Sequence, residues 1–152
     1  MKLIVEDNSL QVAKNFEQQV REQPQIVKTA LGRTAEFVMF LIKQRTSKGQ
    51  GADGNPFKDY TAEYAFQRKK AGRQTAFADL NFSGQMLSNI TQKSSPTEAI
   101  IYFANKFQNV KALGNQKKRK FFAIGQREQQ PIMNVFMKEY NKLSKIWANE
   151  KI

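Results

Sequence analysis

Apolar residues recur at three- and four-residue steps over most of this chain and change to an alternating period only around Thr91 to Ala104, which predicts a mostly helical protein with a small β element. Leu10, Ala13, Phe16 and Val20 follow Ser9, a fitting N-cap, and predict a first amphipathic helix. Pro24 opens a second. Its stripe runs through Ile26, Val27, Ala30, Leu31, Thr34, Phe37, Val38, Leu41 and Ile42, long enough to be the spine of the core. The segment Thr46 to Pro56 holds Gly49, Gly51, Gly54 and several turn formers, and is expected as a flexible surface loop, residues 47–58, between two helical regions.

Beyond the loop, a third helix is predicted from Thr61, turning Tyr64 and Ala65 inward and ending in a basic turn before Gly72. Phe82 to Asn89 has the spacing of a short helix. Thr91 to Ser95 and Glu98 to Ala104, joined by Ser95-Pro96-Thr97, predict a β-hairpin. Lys106 to Leu113 reads as a helix closed by Gly114, and Arg119 to Ile124, with Phe121 and Phe122, as a third strand. Ile132, Met133, Phe136, Tyr140, Leu143 and Trp147 define a long terminal helix after Pro131. The expected fold class is α+β: long amphipathic helices on a small antiparallel sheet, a hairpin plus one strand, in a single domain. No internal repeat at a fixed period is present.

Charge changes this picture from a fold to a partner. Between Tyr64 and Arg127 stand twelve basic and two acidic residues, whereas the flanks are nearly neutral, within a total formal charge of +12. A block so uneven sets up a directed potential toward polyanions or acidic protein surfaces. It contains two clusters, Arg68, Lys69, Lys70 and Arg73, and Lys117, Lys118, Arg119 and Lys120 with Lys111 upstream and Arg127 downstream. Those ten are the expected binding residues. A run of lysines alone is commonly a solvated turn; two clusters together favour a basic face. Phe66, Phe121 and Phe122 stand near them, where core packing outweighs base stacking.

Composition narrows the chemistry further. The chain has no cysteine and no histidine, which removes thiolate metal sites, Cys nucleophiles and every His-based triad. The expectation is no enzyme, no cofactor and no metal. Gly49, Gly51 and Gly54 do spell G-x-G-x-x-G, but a helix precedes them, Asn55-Pro56 follows, and Asp53 would repel phosphate. The carboxylate pairs Glu6-Asp7 and Asp59-Glu63 read as solvated or helix-start charges. Neither the start of the chain nor Phe37 to Ile42 has the apolar length of a signal peptide or a membrane span, so no export and no membrane partner are expected, and the sequons at Asn81 and Asn89 read as chance.

With Arg45-Thr46 at a helix end, the loop Gly51 to Tyr60 with Tyr64, the segment Asp79 to Ile90 and the run Arg119 to Gly125, the order of features resembles the neck and tail-completion proteins of tailed bacteriophages. Arg45-Thr46 ends a long helix, and Gly51-Ala52-Asp53-Gly54-Asn55-Pro56-Phe57-Lys58-Asp59-Tyr60 with Tyr64 is similar to the family's glycine-aspartate loop and its two tyrosines. Asp79-Leu80-Asn81-Phe82-Ser83-Gly84-Gln85-Met86-Leu87-Ser88-Asn89-Ile90 resembles the segment preceding the family's hairpin. Ala112-Leu113-Gly114 and Arg119-Lys120-Phe121-Phe122-Ala123-Ile124-Gly125 resemble its helix end and its arginine-phenylalanine strand, although Lys117-Lys118 stands where the family often carries proline. The resemblance implies a structural virion protein, made in the host cytoplasm, that joins tail to head as a cyclic homo-oligomer, with a hexameric ring expected. Its implied partners are neighbouring neck, portal-adaptor or tail-tube proteins, and DNA passing through the ring without sequence specificity. The charge block by itself leaves open a non-specific nucleic-acid-binding accessory protein, and a tail-assembly chaperone is a third reading.

Overall fold

A computed structural model describes residues 1–5, 21 and 23–149. The helix expected over Leu10 to Val20 lies outside them. The elements are β1 (Lys2–Val5), α1 (Pro24–Ser47), α2 (Ala62–Lys70), α3 (Gln85–Ser88), β2 (Ile90–Ser94), β3 (Ala99–Phe103), α4 (Lys106–Lys118) and α5 (Gln129–Asn149), with a 3-10 turn at Gln126–Glu128. The protein is a mostly helical α+β structure with an antiparallel hairpin, β2–β3. The described residues divide into two compact units, one built from 40–90 and 103–126 with Met1, the other from 2–5, 21, 23–39, 91–102 and 127–149.

In the second unit, the first part of α1 buries Val27, Ala30, Leu31, Thr34, Ala35 and Val38, the face foreseen from the stripe. The hairpin crosses this helix at Gly32, where a Cβ would lie 3.1 Å from Ser94 Oγ, a tight contact that the serine side chain would have to relieve. In β3 the burial alternates, Ala99, Ile101 and Phe103 inward, as the two-residue period of a strand requires. Ser95 closes the hairpin, its backbone N–H donating to Glu98 O at 2.8 Å while its hydroxyl accepts from Glu98 N–H at 3.1 Å. The outer edge of β3 is covered by β1, antiparallel, with Leu3 opposite Ile101. Helix α5 buries Ile132, Phe136 and Tyr140; Arg33 reaches Glu139 at 2.6 Å, and the Tyr140 hydroxyl donates to Gln23 at 3.0 Å.

In the first unit, Ile42, Phe57, Ala78, Leu87, Phe103, Ala112, Phe121 and Phe122 form the apolar interior. The third strand expected at Arg119 to Ile124 does not form. Side chains have taken the backbone groups a ladder would need: Arg45 donates to the carbonyls of Phe121 and Ala123, and Gln116 Oε1 accepts the Phe122 N–H at 3.0 Å. The glycine-rich segment is only partly at the surface. Gln50 and Pro56 pair as a single bridge, Ala52 N–H donates to Lys120 O at 2.9 Å, and Gly49 and Gly51 are buried. Gly49 has φ +73°, and a Cβ there would stand 2.7 Å from the Phe77 ring, so both its backbone and its contacts require glycine.

Candidate functional site

The candidate site lies in the first unit and grows from α2. Thr61 caps this helix, its hydroxyl accepting the Tyr64 N–H at 3.3 Å, and the cap sets Tyr60, Tyr64 and Arg68 on neighbouring turns. The Tyr60 and Tyr64 rings meet edge to face at 5.0 Å. Arg68 turns inward, not outward. Its guanidinium lies 4.6 Å from the Tyr60 ring centre and donates to Gln74 O at 3.1 Å, Asn81 O at 3.3 Å and Asp79 Oδ1 at 3.0 Å. Arg119 approaches the same ring from 5.2 Å and donates to Lys58 O at 2.7 Å and Asp59 O at 2.9 Å. Tyr60 thus carries two arginines on its ring, and their donors are met by carbonyls and one carboxylate, which is how buried cations remain tolerable.

Asp79 Oδ1 is the hub, accepting also from the Tyr60 hydroxyl at 3.1 Å and Asn81 N–H at 3.0 Å. Between Asp79 and Asn81, Leu80 has φ 53°, a left-handed conformation that costs a branched side chain of the order of 1–3 kcal/mol. Its N–H donates to Tyr60 Oη at 3.0 Å. The strained turn is therefore held from both sides by Tyr60 and Arg68.

Burial pushes the Tyr60 phenol above its usual 10.0, the Leu80 N–H opposing and the Asp79 carboxylate adding to the rise. The folded phenol keeps its proton where the unfolded one loses it, so this contribution to stability is complete below pH 10.0 and fades as the pH rises through the folded value. Alkaline titration followed by phenolate absorbance should show Tyr60 ionising after an unburied tyrosine. Tyr60→Phe is expected to remove that late phase; a titration unchanged by the substitution would contradict its placement.

Beside this network opens a cleft of about 1170 Å³. One wall is Tyr60, Tyr64 and Phe82; the other is α4, with Lys111, Lys117 and Lys118, and Lys58 and Arg119 also line it. Tyr64 and Phe82 remain partly exposed, their ring centres 6.4 Å apart. Four lysine ammoniums and exposed rings around one concavity suit an anionic partner that also offers flat or apolar surface.

The structure sorts the expected binding residues. Lys111, Lys117, Lys118 and Arg119 meet at the cleft, but Arg119 is buried and engaged with carbonyls, as Arg68 is with Asp79. Both were expected on a basic face and stand in the interior instead, because arginine at those places can bridge several backbone carbonyls at once. Lys69, Lys70 and Arg73 are exposed and do not themselves line the cleft; Lys70 lies over the Phe66 ring at 4.9 Å, and Arg73 over Phe82, a residue of the cleft wall, at 5.9 Å. Lys120 is exposed beside the Gly51 turn, and Arg127 stands exposed in the 3-10 turn, in the other unit. Lys58 was missed. The charge count starts at Tyr64, so Lys58 fell in the neutral flank; its place in the sequence just before Tyr60 was the usable signal.

Among the described residues no group of three or more Asp, Glu, His or Cys gathers as a metal site, and no helix is long and apolar enough to cross a membrane. Comparisons with protein-family models, with curated proteins and with solved structures each found no match.

Proposed function

We propose that this chain is a structural protein of the head–tail connection of a tailed bacteriophage, one that closes into a homo-oligomeric ring and joins tail to head without catalysis. The observation that supports the reading is the fate of the residues that carry the resemblance. Arg45, Gly51, Tyr60, Tyr64, Asp79, Arg119 and Phe121 belong to one unit, hydrogen bonds and ring contacts link them or their chain neighbours, and Tyr60, Tyr64 and Arg119 line the cleft.

The mechanism is electrostatic docking. Cyclic assembly repeats the cleft lysines around an axis, so a modest patch becomes a collar of charge. Such a collar faces either an acidic neighbouring ring or duplex DNA, which carries a charge per roughly 1.7 Å of axis. The triple variant Lys111→Glu, Lys117→Glu, Lys118→Glu tests it, with Arg119 spared because it is interior. Circular dichroism and oligomer mass should stay as in the wild type, while tail joining in a complementation assay falls about tenfold or more. Undiminished joining would remove the cleft from the docking step.

A second reading, a non-specific single-strand nucleic-acid binder, is favoured by one feature: the exposed Tyr64 and Phe82 rings sit within the lysine-lined cleft, as stacking platforms do. There the same triple variant would lower the salt slope of binding by about two units, at roughly 0.7 per lost contact.

A further inference from the structure

Helix α4 carries an apolar stripe, Phe107, Val110 and Leu113, that is not part of the cleft lining although it borders the cleft lysines. Its inward side is occupied by Ala112, buried, by Asn115 against Met86, and by Gln116, which holds Phe122. On its outward side Phe107, Val110 and Leu113 are 76%, 61% and 43% exposed, three large apolar side chains at three-residue steps with Gly114 beside them. Exposed apolar residues are ordinary when scattered; a stripe of three along one helix is not. The stripe is set among Lys106, Lys111, Lys117 and Lys118, all exposed, and the helix contains no acidic residue.

We infer that this face of α4 is a docking surface for an acidic amphipathic helix of a different protein. Charge complementarity is the ground. At 3.6 residues per turn, Lys106 and Lys117 project within the arc that Leu113 and Val110 span, so cations and apolar groups are interleaved and not segregated. A partner must therefore present carboxylates and apolar side chains mixed on one surface, as an acidic amphipathic helix does. Duplex DNA would satisfy the lysines and leave Val110 and Leu113 against charged phosphate. A bilayer would take the apolar groups and force Lys106 and Lys117 into the middle of the inserted face. A second copy of the same face would set lysine against lysine.

The test uses the full chain and a fluorescently labelled synthetic peptide with leucine at three- and four-residue steps and glutamate between. Anisotropy should report binding that weakens about tenfold or more in the double variant Val110→Asp, Leu113→Asp, and by a similar factor for a scrambled peptide of identical composition. Lys69→Glu, in the other basic cluster, should leave binding unchanged. Both substituted apolar positions are exposed, so thermal unfolding of the variant should match the wild type. The inference is overturned if the peptide fails to bind, if the scrambled peptide binds equally, or if phosphatidylserine vesicles take up the chain and lose it on the double substitution while the peptide does not. Native mass spectrometry of the same variant separates this surface from the ring contact: an unchanged oligomer is expected, and loss of the oligomer would assign the stripe to self-association and overturn the inference.

Discussion

Arg68→Met is expected to destabilise the protein by about 3–5 kcal/mol, because it leaves Asp79 as a nearly buried carboxylate without its cation. Arg68 is 1% exposed, and its guanidinium ties Gln74, Asp79 and Asn81 to α2. Methionine keeps much of the length and apolar volume, so the loss reports charge and hydrogen bonding and not a large cavity. The double variant Arg68→Met, Asp79→Leu removes both charges and is expected to recover part of that loss, although the Tyr60 hydroxyl and the Asn81 N–H then lose their acceptor. Urea unfolding of the two single variants and the double variant checks this. A cost below about 1 kcal/mol for Arg68→Met would mean that the pair behaves as a solvated surface pair.

Phe121→Ala should cost a similar amount, about 3–5 kcal/mol, through lost burial and an unfilled cavity. Phe121 is fully buried and contacts the rings of Phe103 at 6.4 Å and Phe122 at 6.1 Å between centres. Its carbonyl also receives Arg45 at 2.8 Å, so collapse of the neighbouring side chains into the space is limited by a fixed backbone. The urea midpoint should fall with little change in slope. A loss under about 1 kcal/mol would show that the site refills and that the aromatic cluster is not tightly packed.

Helices α1 and α5 were legible through apolar faces that repeat with the helical period, and α2 through its start at Thr61. But α2 buries Arg68 and leaves Tyr64, expected inward, 36% exposed, and α4, expected to close at Gly114, runs on to Lys118. The hairpin was legible through the alternation of β3 and the turn at Ser95. Phe121 and Phe122 misled because strand propensity describes a side chain on a pleated surface, while here Arg45 and Gln116, distant in sequence, claimed the backbone groups. The same non-local contacts hid the roles of Arg68 and Arg119. A charge count cannot separate an arginine that bridges interior carbonyls from a lysine whose ammonium stays in water. Of the expected binding lysines, Lys111, Lys117 and Lys118 line the cleft, while Lys69, Lys70 and Lys120 stand elsewhere. The stripe on α4 was half visible, since Leu113 and Phe107 lay in a predicted helix, but which side of that helix faced inward depended on Met86 and Phe122.

Native mass spectrometry of the purified chain, with and without short duplex DNA across a salt series, tests the central claim most directly. The account predicts a discrete closed oligomer that is present with and without duplex and at every salt concentration. A monomer or dimer that takes up duplex strongly at low salt and releases it steeply as salt rises would contradict the neck assignment and favour the nucleic-acid reading.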